Sequence, residues 1–156
     1  MQKIDNVSVL ERVGQLGLKT VKFDTGSGSV PFYKGCEFAA VLSGLSKLEM
    51  AWISYAYLNT IDEYSLKVIT HELGIFVVRA FGKIENAERL VELICKERLF
   101  GRVLSGRLRS IFIGVPNSTY RRKKSFYDDV IFFINCEIDK IEEKAQIKIK
   151  GNISMS

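Results

Sequence analysis

Two stretches of this chain carry residue types whose spacing can do chemistry. In "VKFDTGSGSVP", residues 21–31, Asp24 precedes Thr25 and Gly26 behind an apolar run. An Asp-Thr-Gly of this kind positions the water-activating carboxylate in aspartic proteases. That chemistry needs two facing carboxylates that share a proton, hence a second loop and a framework of strands. The other stretch runs from Lys96 to Lys124. It holds nine basic residues (Lys96, Arg98, Arg102, Arg107, Arg109, Arg121, Arg122, Lys123, Lys124) and one acid, Glu97, a net +8 that leaves −3 for the rest of a chain whose total is +5. A local field of that strength attracts phosphate backbones. A merely solvated face would mix in more acids.

Other enzyme signatures are incomplete. Gly26 and Gly28 are followed neither by the third glycine of a dinucleotide loop nor by Gly-Lys-Ser/Thr. His71 is the only histidine, and "HELGI" lacks the second imidazole that a zinc-protease helix needs. Asp128 and Asp129 are adjacent, so on a helix they point about 100° apart and cannot act as a pair. Cys36, Cys95 and Cys136 are far apart and odd in number, as expected of reduced, buried thiols in a cytoplasmic protein. No enzyme activity, cofactor or metal is therefore expected. No apolar run reaches membrane-spanning length, and "MQKIDN" does not read as a signal peptide.

The elements that must position the basic residues read as helices. At 156 residues the chain is long enough to bury a core. Its first 34 residues form an irregular or partly extended arm, with a weak helix at 6–16 and "LKTVKFDTGSGSVP" as a strand running into a loop. Residues 35–150 form a helical body. "YKGCEFAAVLSGL" is an apolar helix ending near Gly44. Ser46 and Glu49 form a capping box, and Thr60 and Glu63 repeat it. The second box opens a helix whose apolar face is Leu66, Ile69, Leu73, Phe76, Val77 and Ala80, stopped by Gly82. A helix over about 85–99 turns Ala87, Leu90, Val91 and Ile94 inward. A long amphipathic stretch begins near Asn117, and its tail, "QIKIKGNISMS", alternates in a way that suggests fraying or an extended end. The fold class is mainly α. The protease loop has too few strands around it to function as one, and Asp24 reads as part of a connector.

Within the basic segment, residues 104–127 fit a helix-turn-helix. Gly114 supplies a left-handed turn, Val115 pins the turn to the core, and Pro116 suits the start of a second helix. Asn117 or Ser118 can cap that helix. Ser110 is the small residue where the helices approach, and Ile113 and Tyr120 pack beside the turn. Arg109 stands where such motifs place an apolar residue, and Gly106 is a poor helix starter. On the second helix Asn117, Ser118, Arg121 and Arg122 face the major groove, where arginine reads guanine and asparagine reads adenine. Arg107, Arg109, Thr119, Lys123 and Lys124 are placed for phosphates. The expected partner is double-stranded DNA. A dimeric repressor or activator, a protein that blocks a host factor with its basic face, and a hydrolase built on Asp24 are the alternatives, and the oligomeric state is open.

"GVPNSTYRRKK" resembles the second helix of the helix-turn-helix in the Q-type late-gene transcription antiterminators of lambdoid phages. "GLSKLEMAWISYAYLN" looks like a Trp- and Tyr-rich helix in the same proteins, and the resemblance covers about residues 35–148. It implies binding to a DNA element near a late promoter and engagement of paused RNA polymerase, which then resists terminator hairpins. By position it gives DNA reading to Asn117, Ser118, Arg121 and Arg122, and a polymerase contact to aromatic and apolar residues around Trp52 to Tyr57, most of which read as core packing.

Overall fold

The computed structural model describes Leu10 and residues 39–59 and 61–154. Asp24, the expected helix at 6–16, the boundary near residue 34 and Thr60 lie outside these residues. Among the described residues every regular element is helical: α1 (Lys47–Ile53) with a π-helical turn (Ser54–Leu58), α2 (Glu63–Phe81), α3 (Ala87–Phe100), α4 (Gly106–Ile113), α5 (Asn117–Arg122) and α6 (Lys124–Ser154). The chain divides into two units, Met1–Ser65 with Ile141–Ser156, and Leu66–Lys140.

In the first unit α1 begins on the expected capping box. Ser46 Oγ accepts from Glu49 N–H at 3.1 Å, and Glu49 Oε1 accepts from Ser46 N–H at 3.0 Å. Lys148 Nζ of α6 donates to the same carboxylate oxygen at 2.7 Å. Burial opposes ionisation of Glu49, but the Lys148 and Ser46 hydrogen bonds outweigh it and hold the carboxyl below its ordinary range. Asn152 Nδ2 donates to the carbonyls of Val41 and Ser43, at 2.8 and 2.7 Å. In this unit Ala51, Trp52, Ile53, Tyr55, Ile141, Ala145 and Ile149 are all buried.

The start of α2 differs from the expected Thr60–Glu63 box. Asp62 takes the capping role: Oδ1 accepts from Ser65 N–H at 3.1 Å, while Oδ2 accepts from the hydroxyls of Ser65 and Ser54 at 2.6 and 2.8 Å. Those hydrogen bonds, the Ser65 hydroxyl first, hold its carboxyl below the ordinary value.

In the second unit Ile69, Leu73 and Val77 of the expected α2 face are buried, Leu66 and Phe76 are half-buried and Ala80 is exposed. The expected α3 face, Ala87, Leu90, Val91 and Ile94, is buried throughout. Tyr127, Val130, Ile131, Ile134 and Ile138 of α6 are buried as well. The long helix does not begin near Asn117. Lys123 leaves helical geometry at φ −101°, so α5 ends at Arg122 and α6 starts at Lys124. At the other end α6 stays helical to Ser154. The alternating tail is misleading because Ile149 falls at helical spacing from Ala145 and Ile141, all three buried, whereas Ile147 points outward at 64 % exposure.

Candidate nucleic-acid interface

Helix α4 forms in spite of the glycine at its first position. Ser105 caps it, its Oγ accepting from Leu108 N–H at 3.3 Å. Gly106 lies close against α5: a Cβ at this position would stand 3.3 Å from Cε1 of Tyr120, a tight contact. That ring belongs to α5, is itself buried, and stacks on Tyr127 with centroids 5.0 Å apart and planes 10° from parallel. Burial and the neighbouring Tyr120 and Glu85 raise the pKa of the Tyr127 hydroxyl.

The turn follows the expected chemistry at Gly114, whose φ is +80°. Gly114 N–H and Val115 N–H both donate to the Ser110 carbonyl at 3.0 Å, closing the end of α4 in the pattern that a left-handed glycine permits. Ser110 and Ile113 are buried and Val115 half-buried. Arg89 of α3 also secures α4, donating from Nε and Nη2 to the Phe112 carbonyl at 3.1 and 2.7 Å, with its guanidinium 4.4 Å from the Phe112 ring centre.

Helix α5 starts one residue earlier than a cap by Asn117 would require. Pro116 occupies the N-cap position without a side-chain bond. Asn117 and Ser118 therefore do not cap the helix, and both stand exposed. Tyr120 is the buried anchor of this short helix, and Arg121, Arg122 and Lys123 are exposed around it. Thr119 is half-buried. Arg107 and Lys124 are exposed, Lys124 at 4.0 Å from Asp128. Among the described residues, no ion pair engages Arg107, Arg121, Arg122 or Lys123.

Arg109 corrects the expected phosphate-contact set. Its Nε and Nη2 donate to Oε2 and Oε1 of Glu97 at 2.9 and 2.8 Å, with the two side chains only 13 % and 7 % exposed. Glu97 Oε2 also accepts from Leu104 N–H at 3.0 Å. The hydrogen bonds to Glu97 raise the arginine's pKa more than burial lowers it, and the Tyr120 hydroxyl adds to the rise. A cation occupies a position that ordinarily holds an apolar side chain because the one acid of the basic segment lies against it. Arg98 is likewise engaged, donating to Asn135 at 3.1 Å and Asp139 at 2.8 Å.

The other singled-out residues lie elsewhere. Trp52 and Tyr55 are buried, and Trp52 Nε1 and the Tyr57 hydroxyl donate to Glu142 at 2.9 and 3.0 Å, so most of the aromatic stretch is spent on internal packing. His71 is exposed, 3.5 Å from Glu88. Cys95 is fully buried and Cys136 partly so. Among the described residues no cluster of His, Cys, Asp and Glu forms a metal site, and no helix is long and apolar enough to cross a membrane.

Comparison with protein-family models, curated proteins and solved structures gives no match.

Proposed function

We propose that α4, the Gly114 turn and α5 act as a DNA-binding helix-turn-helix, and that the protein regulates transcription without catalysing a reaction. The observation carrying this is the arrangement of α5. Tyr120 anchors one side, and the exposed face carries two arginines, an asparagine and a serine, with neither arginine in an ion pair among the described residues. Arg121 and Arg122 suit guanine edges and Asn117 adenine, while Arg107, Lys123 and Lys124 suit the flanking phosphates. Arg109 has a structural duty in this assignment.

The most concrete form of the proposal is late-gene antitermination of the Q type, with RNA polymerase as second partner. It is supported by the likeness of "GVPNSTYRRKK" and "GLSKLEMAWISYAYLN" to those proteins. Selection of bound sequences from random duplex DNA, with and without RNA polymerase, tests both levels. A defined recovered site supports DNA reading, and readthrough of a terminator that depends on that site supports antitermination. Binding that neither selects a sequence nor depends on Arg121 and Arg122 contradicts the assignment.

A further inference from the structure

Beside α5 lies a cleft of about 380 Å³ that shares Lys123 with the proposed duplex contacts but includes none of the base-reading residues. Three parts of the second unit line it. The connector after α2 contributes Lys83 and Glu85, the turn contributes Val115 and α5 contributes Thr119, and the start of α6 contributes Phe126, with Lys123 at the junction. Neither Arg121 nor Arg122 reaches it.

The chemistry of the lining is mixed in a particular way. Lys83 and Lys123 are exposed cations, and among the described residues neither forms an ion pair. Glu85 is an exposed carboxylate without a salt bridge among the same residues, and its charge is felt at the Tyr127 hydroxyl. Phe126 keeps 37 % of its surface open. Its ring neighbours, Phe81 and Tyr127, lie at 87° and 65° to it, so neither is stacked parallel on it.

A duplex backbone would use the lysines but would be repelled by Glu85 and gain nothing from the aromatic wall. A nucleotide uses all of them. A base stacks on an aromatic ring, a carboxylate accepts from the exocyclic amine of cytosine, and ammonium groups pair with the phosphate. We propose that this cleft binds a nucleotide bearing an exocyclic amine, cytosine above all, with its base against Phe126 and Glu85 and its phosphate within reach of Lys83 and Lys123. The same chemistry is offered by a free mononucleotide and by an unpaired nucleotide within a strand.

Titration of the full-length protein by calorimetry with dCMP, dTMP, (dC)6 and (dT)6 tests this. The cytosine ligands should bind more tightly than their thymine counterparts by roughly fivefold or more, the span of one base-specific hydrogen-bonded contact. Binding of dCMP as well as (dC)6 identifies a free-nucleotide site, and binding of (dC)6 alone a strand site. Glu85→Gln should erase the preference for cytosine, and Lys83→Ala should weaken every ligand by a similar factor, with thermal melting unchanged for both exposed positions. Arg121→Ala with Arg122→Ala should leave these affinities intact, so failure of the cleft and failure of duplex reading are separable. Equal affinity for cytosine and thymine ligands, absence of binding, or indifference to Glu85→Gln and Lys83→Ala would overturn the proposal.

Discussion

Arg109 and Glu97 stand twelve positions apart in the chain and meet through two hydrogen bonds of 2.9 and 2.8 Å, nearly shielded from solvent. The pair ties α4 to the last turn of α3, and through Leu104 N–H it also holds the connector between them. Removing one partner leaves the other charge buried, which costs about 3–5 kcal/mol. Glu97→Ala should therefore lower the urea midpoint sharply. Arg109→Ala should also destabilise, and its effect on DNA affinity should vanish at temperatures where the variant is fully folded.

Arg107 supplies the contrast. It is exposed and, among the described residues, forms no ion pair. Arg107→Ala should leave the melting temperature unchanged, weaken DNA binding alike on all sequences, and reduce the slope of log affinity against log salt by about 1. Titrations at several salt concentrations measure that slope.

Gly114 sits at φ +80° with open space where a Cβ would stand. Gly114→Ala therefore meets no clash and suffers only the backbone penalty, about 1–2 kcal/mol. Gly114→Asn should lose less, since asparagine tolerates the left-handed region. Denaturant melts of the two variants give the order. Equal losses would locate the constraint somewhere other than the turn.

Acid should destabilise the first unit through Glu49 and Asp62. Both carboxyls are held below their ordinary values of 4.5 and 3.8, so the unfolded chain takes up protons first. Their stabilisation is complete above those values and is lost as pH falls through the lower folded-state range. Asp62→Ala should cost about 1 kcal/mol at neutral pH, the worth of a helix cap. Its deficit relative to wild type should shrink at pH 3. Thermal melts across that interval show whether the two curves converge.

Burial pushes the Cys95 thiol up to about 12, so almost none of it is thiolate at neutral pH. In the native protein, alkylation followed by peptide mass mapping should label Cys136, which is partly exposed, ahead of Cys95. Denaturation should make Cys95 react.

Local signals were readable in the sequence, and signals that depend on a distant partner were not. Ser46 and Glu49 cap one another three residues apart, and Gly114 marks its own turn, so both could be read directly. Thr60 and Glu63 present the same spacing as the first box, but Asp62 offers two carboxylate oxygens to three donors and takes the cap. The break at Lys123 has no proline or glycine to announce it. Arg109 reads as a phosphate ligand because its charge is local information and its partner Glu97 lies a full connector away. Gly106 reads as a poor helix starter because the Tyr120 ring against it belongs to another helix.

The most direct measurement is the affinity of wild type and of the Arg121→Ala, Arg122→Ala variant for a DNA site selected by the protein, set against a scrambled duplex. Each lost base contact should cost about 1–3 kcal/mol, so the variant should bind both duplexes almost equally while melting at the wild-type temperature. A variant that keeps its full preference for the selected site would contradict the assignment of α5 as the reading helix.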